Sequence, residues 1–555
     1  VRRHRSLTGR GRPDDDPGAG APVVEQSVGR ASAIMAAGTL VSRVLGLVRT
    51  SLLASVVGLS LSADAFAVAN TLPNYVYILL SAGVLNAILI PQITKAMKRP
   101  DGGQDFVDRL LTASLALIAV VTLAATLAAP WLVSATSDLA GSAHQLAVFF
   151  AYICLPQIMF YGLYAVLGQV LNSRGEFASY MWSPVLANVV QIAGLVTFLV
   201  MWSKQVDPAT WTPAMVWVLA GSSTAGIALQ GLVLLIPLRR TGFRWTPRWG
   251  LRGQGFGAVS RIVVWSFTAL VIAQFGGLFA QWVMTHVRAR PGNLAVASIA
   301  AQANAFLVFM LPHSFITTSI LTALYPRMSR IWHDRDVPGM RGVLRQGLAM
   351  PAVGIIPASL AMMVLARPVM GVLFPGFNAR EVRDASEILA VMAIGTMAFG
   401  VTTLQQRYCF AREDGRTNLW LQILLTVVQV GFAVGALYVP GRWAVVTIAS
   451  GQTVANIVAG TVFVLVARRQ LDGIGLASVV RLHVRLALAS VVAAAAAAGL
   501  VWWAGRFGDA WLTHVAVLAA AGVLFGAVFL VGARVLHLRE VDDLLAPVVR
   551  RLRRG

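Results

Sequence analysis

Apolar runs of about twenty residues, each long enough to cross roughly 30 Å of hydrocarbon, recur along nearly the whole of this chain. No other feature narrows the possible folds so far. Hydrocarbon offers no water to a backbone N–H or C=O, so each run must close its hydrogen bonds as a helix or within a closed barrel. Runs this long and without strict alternation read as helices. Fourteen are expected, centred near residues 44, 80, 122, 158, 191, 226, 272, 309, 360, 398, 427, 455, 494 and 523. Composition agrees: 57% of the 555 residues are hydrophobic, 12% are charged and the mean hydropathy is +0.72, where a soluble domain carries about 25% charged residues. The expected class is an all-α polytopic transmembrane bundle.

The formal charge of +22 could point to nucleic acid, but the basic residues stand at helix ends rather than in one patch, and no nucleic-acid partner is expected. They follow the positive-inside rule. With Arg2, Arg3, Arg5, Arg10 and Arg12 inside, the even-numbered connections carry Lys95, Lys98 and Arg99, then Arg174, then Arg239, Arg240, Arg244 and Arg248. The series runs on through Arg327 to Arg345, Arg412 and Arg416, Arg468, Arg469 and Arg481, to the tail Arg550, Arg551, Arg553 and Arg554. Odd connections are short and poor in charge, as in GLSLS at 58–62. The exceptions are Arg288 with Arg290, and Arg380 with Arg383, the latter mixed with Glu381 and Asp384. This places both termini inside, and the restriction of lysine to 95, 98 and 204 beside abundant arginine suggests a GC-rich bacterial genome, hence a bacterial plasma membrane. Cys154 and Cys409 fall in separate predicted helices and imply neither a disulfide framework nor a metal site.

Residues 1–28, rich in Arg and then in Asp, Pro and Gly, read as a disordered basic cytoplasmic leader. A weak internal repeat organises the rest. TLPNYVYILLSAGVLNAILIPQITK and FMLPHSFITTSILTALYPRMSR share Leu-Pro, a helical stretch, and a Pro with a basic end (Pro73 to Pro91; Pro312 to Pro326). The second is about one helical turn shorter. An offset of six helices preserves orientation, so the repeats would be parallel, related by a pseudo-two-fold along the membrane normal; two Pro-bracketed helices arising by chance is the alternative. The repeat gives two six-helix lobes, 29–240 and 241–470, then helices 13 and 14 in 471–540 and a basic cytoplasmic tail, 541–555.

There is no Walker A loop, zinc-ligand spacing or Ser/His/Asp grouping, and carboxylates within the predicted spans are almost absent. No catalytic residue, metal ligand or cofactor is expected, which leaves binding and movement of a ligand. Two arginines, Arg43 and Arg49, sit inside the first apolar run, TLVSRVLGLVRTSLLASVVG. An arginine near the bilayer centre costs at least about 2.5 to 3.5 kcal/mol and usually faces a bundle interior or wet cavity. Six residues apart on a helix, the two are about 9 Å apart along the axis and roughly 120° around it. Both could line a broad cavity and bind phosphate or pyrophosphate bidentately; for Arg49, snorkelling or a fold-stabilising pair with Asp64 competes with that reading.

Asp64 opens helix 2, either complementing the helix dipole or forming an ion-pair gate with Arg49. Asn70 and Asn74 share a face around Pro73 and serve ligand or packing. Asn188, Gln191, Gln274, Gln281, Asn304, Gln422 and Gln429 are polar residues within spans, for which interhelical hydrogen bonds are the plain reading. The candidate substrate-binding set is Arg43, Arg49, Asp64, Asn70, Asn74 and Asn188.

The segment SRVLGLVRTSLLASVVGLSLSADAFAVANTLPN, followed by PQITK, resembles the opening of the MurJ (MviN) lipid II flippases of the MOP exporter superfamily. LNSRGEF with SPVLAN within 171–188, and RYCFAREDGRTN at 407–418, add to the likeness, which covers about 30–470. The resemblance implies fourteen helices in two lobes plus two. It further implies export of lipid II, an undecaprenyl pyrophosphate carrying a disaccharide-pentapeptide, from inner to outer leaflet by alternating access. Arg43 and Arg49 match the family's helix 1 cavity arginines, and Asp64 its helix 2 acidic residue. The chain departs from the pattern at Tyr77, where many members have arginine, at Ala82, where an acid is usual, and in ANAFLVFMLP, where helix 8 offers no arginine. The sodium site of some members, built from carboxylates and amides, is not carried over, since helices 7 and 11 here have glutamines and no carboxylate. Lipid II and membrane lipids are the expected partners, with cell-wall synthesis and division proteins as further candidates. A drug/cation antiporter of the same superfamily and a non-transporting cell-wall scaffold are the alternatives.

Overall fold

The computed structural model describes residues 21–81, 104–174, 176–242, 245–250 and 261–541. The first lobe holds α1 (Ala21–Val57), α2 (Leu61–Leu80), α3 (Gln104–Leu127), α4 (Gly141–Asn172), α5 (Phe177–Trp202) and α6 (Pro213–Arg240). The second holds α7 (Arg261–Ala289), α8 (Ile299–His333), α9 (Val337–Val364), α10 in two segments (Ala379–Ile394 and Thr396–Ala411, bent by 53°), α11 (Gly415–Ala436) and α12 (Gly441–Gln470). Then come α13 (Leu476–Ala504) and α14 (Trp511–Val535). Among the described residues there is no strand, and twelve helices are long and apolar enough to cross a membrane, thirteen with the bent α10. With α2 these hold all fourteen expected centres.

Packing within the lobes repeats. In the first, α1 packs on α5, α5 on α6, α2 on α4 and α3 on α4; six helices on, α7 packs on α11, α11 on α12, α8 on α10 and α9 on α10. This is the pattern that a parallel pseudo-two-fold produces. Helices α13 and α14 pack on each other and against α9. The alanine run of α13 buries Ala493, Ala494 and Ala497, letting helix backbones approach closely without a large apolar side chain between them.

At the N-terminal end, α1 begins at Ala21. The local cause is that Pro22 falls at the second helical position, where its missing N–H breaks no intrahelical bond, and no proline follows before the span. Residues 1–20, Ala82, the PQITK end of helix 2 and the tail after Val541 lie outside the described residues.

Short polar motifs fix the ends of helices. In RYCFAREDGRTN, Asp414 caps α11 by accepting from Thr417 N (3.0 Å) and Oγ1 (2.7 Å), while Arg412 lies over the Trp332 ring, 4.4 Å from its centroid. That motif is a built turn. At the start of α3, Asp105 accepts from Arg109 Nε at 2.9 Å and Arg248 Nη1 at 2.5 Å, and these guanidinium bonds hold its carboxyl below the usual carboxylate range. The contribution of this clasp is therefore complete above the unfolded pKa of about 3.9 and is lost as pH falls through the lower folded value. Hydrogen-exchange protection of 245–250, corrected for intrinsic rates, is expected to persist down to that pH and to collapse below it. Asp105→Asn should show the acid behaviour at neutral pH, and unchanged protection in that variant would contradict the clasp.

Candidate functional site

The two lobes meet at the end that carries the odd-numbered connections. Ser60 caps α2 by accepting from Ala63 N (3.3 Å), which sets Asp64 in the first turn, fully buried. Across the lobe boundary, Arg288 at the end of α7 donates from Nη1 to Asp64 Oδ2 (2.7 Å), from Nη2 to Leu59 O (3.0 Å) and from Nε to Leu294 O (3.1 Å). Asp64 Oδ1 also accepts from Ala300 N (3.1 Å) in the first turn of α8, an end whose free N–H groups favour an anion. Both charges are buried and both are well hydrogen-bonded, the condition under which such a pair offsets its desolvation.

Of the two readings of Asp64, the ion pair with Arg49 does not form. Arg49 lies eight residues before the end of α1, roughly 12 Å deeper by helical rise, whereas Asp64 is at the mouth. Asp64 is thus a cross-lobe latch residue in this conformation rather than part of the arginine pocket.

A second contact closes the same end. Glu381, in the first turn of α10, accepts from Leu59 N through Oε1 (2.7 Å) and from Lys204 Nζ (3.3 Å) and Asn378 N (2.8 Å) through Oε2. Lys204 Nζ also donates to Gly376 O (2.9 Å). Glycine is required on both sides. Gly58 has φ of +59°, and a Cβ there would stand 2.5 Å from Glu381 Oε1; at Gly376 a Cβ would run into the Ser55 backbone. Three of the four arginines that break the positive-inside pattern stand beside carboxylates. Arg288 is neutralised by Asp64, and Arg380 and Arg383 flank Asp384 at 3.8 and 3.6 Å, while Arg290 donates to Leu437 O.

Deeper in the bundle the two arginines of α1 point to different places. Arg43 is exposed and reaches across to the second lobe, with its guanidinium carbon 5.2 Å from the centroid of the Phe315 ring on α8. Phe315 lies in the π-helical segment His313–Thr317, which follows Pro312; such one-turn widenings re-aim side chains. Arg49 stays within the first lobe and donates from Nη1 to Gln191 Oε1 (3.2 Å), rather than snorkelling outward. Among the described residues neither arginine is in an ion pair.

Arg49, Asn70, Gln191 and Ser223 line a pocket of about 50 Å³, room for a water or two and not for a pyrophosphate. Asn70 Oδ1 accepts from Ser223 Oγ (3.1 Å) at its rim. Asn188 instead ties α5 to α1, donating to Ser42 O (3.0 Å) and Ser42 Oγ (3.3 Å). Asn74 is exposed on α2, a turn beyond Asn70 and outside the pocket lining. Of the candidate set, then, only Arg49 and Asn70 share a pocket. Tyr77 packs on Tyr161 with ring centroids 5.5 Å apart. Sequence reasoning missed Arg288 and Phe315. The first carried a signal, as an arginine at the wrong end of its helix; the second had none.

Relatives share this plan. A family model described as "Lipid II flippase MurJ" matches residues 53–522. The chain is 27% identical over 415 residues to a "Probable lipid II flippase MurJ" of Vibrio cholerae, covering 72% of this chain and 75% of that protein. It is 29% identical over 403 residues to the "Lipid II flippase MurJ" of Burkholderia cenocepacia, covering 70% and 74%. Among solved structures, "Lipid II flippase MurJ, inward closed conformation" superposes with a TM-score of 0.69 at 15% identity, over 92% of this chain and all of that one. An inward-facing multidrug transporter of the MATE family gives 0.59 at 18% identity, over 79% and 96%. The structural likenesses speak to the fold. The match across 53–522 of the sequence reaches from the end of α1 into α14, and on that extent this chain belongs to the lipid II flippase MurJ family.

Proposed function

We propose that this chain carries lipid II from the inner to the outer leaflet of the bacterial plasma membrane by alternating access between its two lobes. The observation that carries the proposal is Arg43, a cation held at the boundary of the lobes with an aromatic face as its neighbour and, among the described residues, no ion-pair partner. Such a cation suits a phosphoryl oxygen. Arg49, a turn and a half closer to the latch, would engage the same headgroup once the lobes move apart. In this reading the latch end faces outward, following the charge pattern with both termini inside, and the conformation described is closed on that side. Opening would exchange the Asp64–Arg288 and Lys204–Glu381 contacts for solvent as the opposite end closes. The residue ranges 29–240 and 241–470 would move as the two bodies. Cell-wall synthesis and division proteins are further partners that this role would bring near.

Expression of the chain in a strain depleted of its own lipid II flippase is the test of that role. Growth and exposure of lipid II on the outer leaflet should both return. Growth without outer-leaflet lipid II would point instead to a scaffold, and restoration of neither would contradict the proposal.

A further inference from the structure

Between α2 of the first lobe and α7, α8, α11 and α12 of the second lies a cavity of about 350 Å³. Its polar lining is made of amides and hydroxyls: Gln281, Gln302, Gln429 and Gln452, with Thr71 and Tyr75. None of its lining residues is charged. Four glutamines from four helices face one space inside a membrane bundle, Gln281 buried and the others partly so, and each buried amide atom left without a partner costs about 1–3 kcal/mol. Packing accounts for Gln281, which donates to Thr136 O at 3.2 Å. It does not account for Gln302, whose Oε1 is buried and accepts no hydrogen bond among the described residues.

The chemistry of the lining selects a ligand. Each glutamine offers an acceptor and two donors, which matches groups that both give and take hydrogen bonds, such as sugar hydroxyls and N-acyl amides. An ion is disfavoured, since a desolvated charge without a counter-charge is far costlier than a neutral polar group. Phe306 and Tyr75 add ring faces against which the C–H face of a pyranose can pack. The volume is near the lower bound of small-ligand sites, about 300 Å³, enough for a sugar-sized group rather than an entire disaccharide-pentapeptide.

The position matters as much as the lining. Ile299 lines the cavity, and the next residue, Ala300, donates to Asp64; Met284, also in the lining, is one turn before Arg288. The cavity therefore lies directly beneath the latch. Phe306 is nine residues from Phe315, about 13 Å along α8, so one ligand with an anionic part and a neutral polar part can engage Arg43 and the glutamines together.

We propose that this amide-lined cavity is the sugar-reading pocket of the transport site. It recognises the uncharged, hydroxyl- and amide-bearing saccharide of the substrate while the arginines of α1 hold the pyrophosphate; the inference rests on the flippase reading above. Recognition is thus divided, with charge read by the first lobe and sugar by the second. A substrate bridging both would sit against the helices that form the latch.

The test compares binding of two lipids to the purified full chain in nanodiscs: lipid II, and undecaprenyl pyrophosphate, which has no sugar. The wild type should prefer lipid II by at least about tenfold, as expected for a site whose hydrogen bonds go unmet by the smaller ligand. Gln302→Leu with Gln452→Leu should remove that preference and leave undecaprenyl pyrophosphate binding unchanged. Should that double variant fail to fold, Gln302→Asn with Gln452→Asn, which keeps the amides but draws them back, should weaken lipid II alone. Equal wild-type affinity for both lipids, or a variant that weakens both alike, would overturn the sugar pocket. Binding of neither lipid by the wild type is a separate result, and it would overturn the flippase reading itself.

Discussion

Arg288→Ala is expected to unlatch the end of the protein that holds Asp64 and shift the balance between closed and open lobes by a hundredfold or more. Removing one partner of a buried ion pair leaves the other charge buried and uncompensated, at a cost of about 3–5 kcal/mol, and each 1.36 kcal/mol is a factor of ten. Among the described residues Asp64 has no alternative counter-ion, since its remaining partner is the backbone N–H of Ala300. The change falls on the lobe boundary, so most of the cost should be met by separating the lobes rather than by unfolding either one. A cysteine placed at Ser60 would report this as faster reaction with a membrane-impermeant maleimide. Asp64→Asn with Arg288→Met, which removes both charges, should return the rate toward that of the parent, because a neutral pair of similar size leaves no charge stranded. An Arg288→Ala protein that reacts no faster than the parent would show that the pair does not hold the lobes together.

Arg43→Ala is expected to abolish lipid II transport while leaving the fold intact, and Arg49→Ala to reduce it strongly. The case for Arg43 is energetic. Placing an unpaired cation at membrane depth on α1 costs at least about 2.5 kcal/mol, and its contact with the face of Phe315 is worth about 0.5–1 kcal/mol at exposed sites. The native fold would lose little by truncating it. A charge-assisted bidentate bond to a phosphate is stronger than that contact, so loss should appear in substrate handling. Arg49 differs because its bond to Gln191 also joins α1 to α5. Its alanine variant should lower thermal stability modestly as well as transport, and Arg49→Lys, a point charge without the planar fork, should recover stability better than transport.

What could be read from the sequence, and what could not, follows from the range of each interaction. Membrane spans are written in local composition, so all fourteen helix centres fall within helices. The six-helix offset was legible in two Pro-bracketed segments, and the packing of α1 on α5 repeated in α7 on α11 is its spatial counterpart. Partners were another matter. Asp64 and Arg288 are 224 residues apart, and Arg49 and Gln191 are 142 apart, so no local pattern joins them. The nearest available cation to Asp64 in sequence was Arg49, yet depth in the bilayer separates them. Arg288 was visible only as a violation of the charge rule, and that violation was informative because a buried carboxylate lay opposite.

The claim on which the rest depends is that the two arginines of α1 hold a pyrophosphate. Transport of lipid II by purified protein in liposomes, measured for the parent, for Arg43→Ala and for the Arg43→Ala, Arg49→Ala pair at matched protein levels, tests it most directly. Transport should be present in the parent, absent in Arg43→Ala and absent in the pair. Transport by the double variant at the parental rate would contradict it.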